Sequence, residues 1–367
     1  MKIIIRTDAS IQIGTGHVMR CLALAEALRD RGADVHFICR ALLGNLSAQI
    51  ESRGFAVHAL RVPDAGKTFY RGENAPVHAP WLEVDWRQDL SETLAAVKSV
   101  TSAVDWLVVD HYAIDHQWES GMREVAQRIM VIDDLADRLH DCDILLDQNY
   151  FENLESRYAG LVPENCRMLL GPDFALLRPE FRQARLFTAM RGNGIARVLI
   201  YFGGIDPENI TRKALDALCA PMFQHLYIDV VVGPAYLYLE ELKLQAATRS
   251  GVRIHVQPQS FVELLLRADL CIGAGGSSIW ERLCLGLPSI VISIADNQLP
   301  TCLALNKKNL IIHIGTIADV DACKIENSIE SILTNKEYLS NISKIYKFLV
   351  DGLGATRVCE EMLLPKE

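Results

Sequence analysis

The sequence predicts an α/β protein built from two Rossmann-like domains, each a parallel sheet covered by helices. Three observations predict it. Short apolar runs alternate with amphipathic helical stretches along most of the 367 residues. The alternation starts afresh near residue 195. Glycines and polar residues collect where the apolar runs end, the place where open parallel sheets bind ligands.

In the first half the strand candidates are KIIIRT, DVHFICR, DWLVVD, RIMVID and CDILLD. In the second half they are RVLIYF, LYIDVVV, RIHV, DLCIGA and SIVISI. Helical candidates lie between them, among them Val18–Arg31 and Ser277–Leu285. Alternating units of this kind give sheets buried on both faces, so their strands are continuous apolar runs. The charged segment LRPEFRQARLFTAMRGNGIAR, with two close glycines, is the expected connection. The expected domains are therefore residues 1–190 and 191–367. From about Asn306 the composition shifts toward Ile, Asn and Lys but still reads as folded, and Lys336–Leu364 reads as helical.

The chain is half hydrophobic and carries a formal charge of −9. An acidic chain without basic runs is a poor partner for nucleic acid or an anionic membrane surface. The first apolar run is interrupted by Arg6 and Asp8, too early for a secretory signal, and nothing approaches the roughly 18 apolar residues of a membrane span. The expectation is a cytoplasmic chain, monomeric or weakly dimeric. The 10 cysteines form no CxxC pair and mostly sit in apolar segments, which predicts reduced core thiols.

Two loops stand out. GTGHVMR, Gly14 to Arg20, follows the first strand. Gly14 and Gly16 permit a tight turn and close approach of a ligand to the backbone. A helix starting at about His17 would favour an anion at its N-terminus and help keep His17 neutral, able to accept a proton from water. The same residues also suit a helix-starting turn whose histidine merely packs. GAGGSSIWERLCLGLP, Gly273 to Pro288, can present backbone N–H groups to a diphosphate. Ser277 and Ser278 can cap the following helix or donate to phosphate oxygens, and Glu281 can accept from a ribose diol or simply complement the helix dipole. Further polar groups follow other strands: Asp8, Asp110–His111–Tyr112, Asp133–Asp134, Gln148–Asn149, Gly203–Gly204 and Asp296–Asn297–Gln298.

Weaker constellations read as structural. Asp141–Cys142–Asp143 has DxD spacing but precedes an apolar run, which favours a strand start or turn over a metal site. His111, Asp115 and His116 flank a helix start and suit capping and surface roles better than metal ligation. No P-loop, GxSxG elbow or HExxH is present.

Taken together and in order, RTDASIQIGTGHVMRCLALA, VVDHYAIDHQWE, IDDLADRLHDCDILLDQNY, LLGPDFALLRPEF, FGGIDPENIT, GAGGSSIWERLCLGLPSIVI and IADNQ resemble the UDP-sugar hydrolases of pseudaminic acid biosynthesis, the PseG family. The match covers roughly residues 3–300. The resemblance implies a GT-B fold like that of MurG-type glycosyltransferases, two Rossmann-like domains facing a central cleft. It implies a UDP-sugar substrate, UDP-2,4-diacetamido-2,4,6-trideoxy-β-L-altropyranose, with water attacking C1 and UDP departing with inversion. The sugar and catalytic base would belong to the N-terminal domain and UDP to the C-terminal one, with no metal and no cofactor. By this resemblance His17 is the base, Tyr112 lies near the sugar, and Asn297 completes the catalytic set. Asp8, Gly14, Gly16, Arg20, Gly203, Gly204, Gly275, Gly276, Ser277, Ser278, Glu281 and Gln298 are the expected substrate-binding residues.

Two other readings remain. A transferase with the same donor site would need an acceptor pocket or an apolar docking patch. The tract Arg61–Trp81, with Phe69, Tyr70 and His78, could supply one but reads better as an irregular loop. A silent nucleotide-sugar-binding protein would bind without turnover, against which the pairing of His17 with Tyr112 argues.

Overall fold

Ile3, Ile4 and Ile5 show why the first apolar run sits at the centre of a sheet. Ile3 and Ile5 enter one core, with Val18, Leu22, Phe37 and Trp106, while Ile4 enters another, with Leu107, Trp118 and Leu145. A strand clothed on both faces needs an apolar residue at every position. In the computed structural model, which describes residues 1–62, 75–188, 194–334, 339, 345 and 349–364, this is β1 (Lys2–Thr7).

The remaining strands of the first sheet are β2 (Asp34–Arg40), β3 (Ala56–Leu60), β4 (Val104–Asp110), β5 (Ala126–Ile132), β6 (Ile144–Asp147) and β7 (Arg167–Leu170). All pair in parallel, in the order β3-β2-β1-β4-β5-β6-β7. The helices of this part are α1 (Gly16–Arg29), α2 (Ser47–Ser52), α3 (Trp86–Val100) and α4 (His116–Met122). Asp85 caps α3 by accepting from Arg87 N, and Asp115 caps α4 by accepting from Gln117 N.

The second sheet comprises β8 (Arg197–Tyr201), β9 (Tyr227–Val232), β10 (Val252–Val256), β11 (Leu270–Ala274), β12 (Ser289–Ser293) and β13 (Ile312–Thr316), all parallel, ordered β10-β9-β8-β11-β12-β13. Its helices are α5 (Pro179–Arg185), α6 (Ile210–Ala217), α7 (Leu239–Ala246), α8 (Phe261–Arg267), α9 (Ser278–Cys284), α10 (Leu299–Lys307) and α11 (Ala322–Thr334). Ile200, Val230, Ile272 and Ile290 fill its core with Leu215, Ile325 and Ile329. Each sheet thus starts at its middle, adds two strands on one side and then crosses back, the order of a dinucleotide-binding sheet.

The chain divides into two compact units along a path that differs from the expected one. The first unit is 1–149, 153–178 and 354–367; the second is 150–152 and 179–353. The division therefore falls at Arg178/Pro179, not at 190/191, and the C-terminal helix (Gly354–Leu363) leaves the second unit for the first. The reason is its apolar stripe: Ala355, Val358, Cys359 and Met362 are buried in the core that holds α1 and β1. Most of residues 336–348, expected to be helical, lie outside the described residues, as do Phe69 and Tyr70. The connecting segment carries α5, and three strands absent from the expectation, β3, β7 and β13, are sheet edges.

Candidate active site

Neighbouring strands of the first sheet deliver a row of polar residues at one end. β1, β4, β5 and β6 are successive neighbours, so Asp8, Asp110, Asp134 and Asn149, each at or just past a strand end, come into register. The loop after β1 folds back through Gly14, whose φ of 79° belongs to the left-handed region that suits glycine. Its N–H donates to Ser10 O at 2.8 Å, and Ile13 N donates to Ser10 Oγ at 3.0 Å. Helix α1 then begins at Gly16, next to the expected start at about His17, and sets His17 and Arg20 one turn apart on one face.

Both side chains converge on Asp110. His17 Nδ1 lies 2.6 Å from Asp110 Oδ1. Arg20 donates to both oxygens of Asp110, from Nε and from Nη2, at 2.7 Å each. Arg20 Nη1 donates to Asp134 Oδ2 at 3.1 Å. That oxygen also accepts from Asn149 Nδ2 at 3.1 Å, and the Tyr112 hydroxyl donates to Asp134 Oδ1. Arg20 Nη2 also stands 3.3 Å from His17 Nδ1, but the shorter contact is with a carboxylate, which only accepts. Nδ1 therefore carries the hydrogen, and Nε2 keeps its lone pair.

The electrostatics hold this arrangement. Burial pushes the Asp110 carboxyl upward, but the Arg20 guanidinium and then His17 more than offset it and keep it well below the usual carboxylate range. The Tyr112 hydroxyl is pushed well up by burial and by the Asp134 charge, so it stays a neutral donor. The Tyr112 ring meets His17 edge-on at 4.5 Å. An imidazole with a fixed tautomer, an anionic partner behind it and a buried arginine balancing the charge is arranged to take a proton at Nε2 and stabilise the imidazolium that results.

Asp8 has an internal task instead. It is fully buried, takes Arg6 Nη1 and the Arg40 N–H at 2.6 Å each, and faces His111 Nε2 at 3.2 Å. Arg6 and Arg40 in turn both bind Asp89, at 2.7 and 2.6 Å. This network of buried ion pairs encloses Asp8, one of the expected substrate-binding residues. It corrects the expectation for His111, which is a buried partner of Asp8 and not a surface group. Asp141 and Asp143 are clamped by Arg123 at 2.8 and 2.5 Å, in keeping with a role at a strand start. Among the described residues no group of three or more His, Cys, Asp or Glu is arranged to hold a metal ion.

In the second unit, Gly203, with φ 94°, turns the chain after β8, and Gly204 lies so close to Gly233 that a Cβ on the latter would strike its carbonyl. Gly275 and Gly276 follow β11 and pack on the short turn Asp296–Gln298: a Cβ on Gly276 would stand 3.3 Å from Gln298 Nε2. Gln298 itself accepts from Ile294 N at 3.1 Å, so it braces the glycine loop. Ser277 occupies the cap position of α9 and makes no capping hydrogen bond through its side chain. Glu281, in the first turn of α9, and Asn297 are half-buried.

Residues missed by sequence reasoning explain the geometry. Asp110 and Asp134 were visible only as polar strand ends; that they share Arg20 depends on strand order. Arg282 is fully buried under the glycine loop and donates to Ala274 O at 2.5 Å. A Cβ on Gly273 would stand 2.5 Å from Arg282 Nη1, so this glycine admits a guanidinium rather than a phosphate.

Solved structures with the same architecture include MurG of Acinetobacter baumannii, with a TM-score of 0.64 at 13% identity covering 98% of this chain and 99% of that one. The fold is GT-B. Arabidopsis thaliana UGT89C1, solved in complex with UDP, shares the GT-B fold at TM-score 0.64 and 14% identity, covering 99% and 100% of the two chains. In sequence, the chain is 26% identical over 309 residues to the UDP-2,4-diacetamido-2,4,6-trideoxy-beta-L-altropyranose hydrolase of Campylobacter jejuni, covering 84% of this chain and 97% of the relative. It is 22% identical to the spore coat polysaccharide biosynthesis protein SpsG of Bacillus subtilis, covering 98% and 96%. An uncharacterized protein of Methanocaldococcus jannaschii is 26% identical over 80% of this chain, which spans only 55% of that relative. No family model matches the chain.

Proposed function

We propose that this GT-B protein is a UDP-sugar hydrolase acting on UDP-2,4-diacetamido-2,4,6-trideoxy-β-L-altropyranose or a close stereoisomer. The observation that carries the reading is the Asp110–His17 pair, locked by Arg20 at the strand ends of the first sheet. Similarity to the hydrolase of Campylobacter jejuni over most of both chains supports the substrate class.

In this mechanism the first unit holds the sugar and the base, and the second holds UDP. His17 Nε2 takes a proton from water as the water oxygen bonds to C1. The C1–O bond to the diphosphate breaks on the opposite face, so the configuration inverts. UDP leaves with the bonding electrons. Its charge is already spread over phosphates and needs aligned donors more than a proton, which the Gly275-Gly276-Ser277-Ser278 backbone can supply. Glu281 takes the ribose diol, Tyr112 lies near the sugar, and Asn297 completes the catalytic set. Gly14, Gly16, Gly203 and Gly204 let the backbone come close. The proposed reaction needs no metal or cofactor, and the proposed enzyme is cytoplasmic and monomeric or weakly dimeric; no helix among the described residues is long and apolar enough to cross a membrane.

The test is to incubate the protein with the diacetamido-trideoxy sugar nucleotide in ¹⁸O-water and EDTA. UDP release with the label on the free sugar supports hydrolysis at C1. Label in UDP, or dependence on added Mg²⁺ or Mn²⁺, overturns the mechanism. The transferase-type neighbours favour one second reading, a MurG-like transfer from the same donor. UDP release only when an acceptor is added would support it.

A further inference from the structure

His17 has two unlike sides. Toward the sheet lie the charged groups Asp110, Arg20 and Asp134. On another side lie aromatic rings. Trp81 stands edge-on to His17 at 6.3 Å and tilts over Tyr112 at 5.5 Å. His78 meets Trp81 at 4.5 Å and Tyr112 at 5.3 Å. His78 and Trp81 come from the short stretch around the 3₁₀ turn Ala79–Leu82, whose Leu82 anchors it in the core below. Both rings remain half-buried.

A structural role alone does not explain His78. Its Nδ1 is sealed from solvent and has no hydrogen-bond partner among the described residues, so packing against Trp81 and Tyr112 holds the ring. Leaving a buried polar atom unpaired destabilises a fold, and such a placement is retained where something else requires it. Burial also lowers the proton affinity of His78, which keeps the ring neutral. The rings thus offer an uncharged, largely apolar face immediately beside the base.

We propose that Trp81 and His78 form a specificity wall that seats the deoxygenated, N-acylated face of the sugar against His17. This rests on the hydrolase reading above. A 6-deoxy sugar with two acetamido groups presents methyl groups and flat amides where an ordinary hexose presents hydroxyls. Methyl and amide faces gain from contact with aromatic rings; hydroxyls there would lose water without a partner. The wall would therefore choose among UDP-sugars, while the ion cluster serves the chemistry.

The test measures binding and turnover separately in wild type, Trp81→Ala, Trp81→Phe and His78→Ala. Kd is read by calorimetry for UDP, for UDP-N-acetylglucosamine and for the diacetamido-trideoxy sugar nucleotide. Trp81→Ala should weaken the diacetamido compound about tenfold, the scale of a lost aromatic contact. It should raise KM far more than it lowers kcat and leave UDP binding unchanged. Trp81→Phe should stay near wild type, and His78→Ala should narrow the preference over UDP-N-acetylglucosamine. Should Trp81→Ala fail to fold, the other two variants decide. Unchanged selectivity in folded variants overturns the wall and leaves the hydrolase reading intact if the wild type releases UDP. Ring-dependent binding without turnover supports the wall and overturns the hydrolase reading. No binding of the sugar nucleotide by the wild type overturns both.

Discussion

The Asp110 carboxylate is the residue on which the candidate base depends. It fixes the His17 tautomer through the 2.6 Å contact and stays anionic because Arg20 grips both of its oxygens. Asp110→Asn keeps size and polarity but can present an N–H where an acceptor is needed, which favours the wrong tautomer. We expect kcat to fall by roughly 10²–10⁴ with little change in KM. A near-native kcat in a folded variant would remove Asp110 from the mechanism. His17→Asn should lose as much, since an amide cannot take the proton. A second carboxylate gives a stability test. Asp147 is pushed up to about 7 by burial and then by the Asp134 charge, from an ordinary value of 3.8. Its folded value exceeds its unfolded one, so the folded state binds the extra proton. Its contribution to stability is full below about pH 4 and is lost as the pH rises through 7. The Tm of Asp147→Asn should therefore decline less than that of the wild type between pH 4 and 7. Parallel curves would show that Asp147 ionises normally.

Elements were legible in proportion to how deeply they are buried. The central strands β4 and β11 are buried at nearly every position and were evident as continuous apolar runs. The edges β3, β7 and β13 have half-exposed residues such as Val57, Leu170 and His313, so their sequence carries no unbroken run. Only β10 among the edges was recognised, as the candidate RIHV. The glycine loop before α9 was legible too, but the reason for each glycine was not. Gly275 faces Cys302 and Val291, and an added Cβ would overlap the Cys302 sulfur. Gly275→Ala should thus cost about 1–3 kcal/mol of stability, the usual range for overpacking, and weaken UDP binding as the loop shifts. Adding Cys302→Ala should restore much of both. A double variant no better than the single one, by calorimetry and thermal melts, would mean that the loop shifts for another reason.

The whole molecule ties its C-terminus back to the unit that holds His17. The C-terminal helix buries Ala355, Val358, Cys359 and Met362 beside α1, accepts Trp106 Nε1 at Met362 O at 3.0 Å, and pairs Glu361 with Arg167 at 2.6 Å. Burying Val358 and Met362 contributes about 1.5–3 kcal/mol each, large against a domain stability of about 5–15 kcal/mol. A chain ending at Leu353 should unfold its first unit early and lose activity, although no candidate site residue has been removed. An unchanged first melting transition would contradict this. That return of the chain was not legible, because an amphipathic stripe states that a helix must be covered and not by what. The sequence by itself determined the parallel α/β class, the central strands and the two glycine loops, since apolar periodicity and chain turns are local consequences of side-chain chemistry. The motif order also carried the similarity to the UDP-sugar hydrolase of Campylobacter jejuni. Only the tertiary structure decided which strand ends are neighbours, and so which aspartate serves His17 and which is sealed away. Asp8 and Asp110 look alike in sequence, each a carboxylate at the end of an apolar run. Strand order places one beneath Arg6 and Arg40 and the other against His17 and Arg20, and the charge around each carboxylate sets its role.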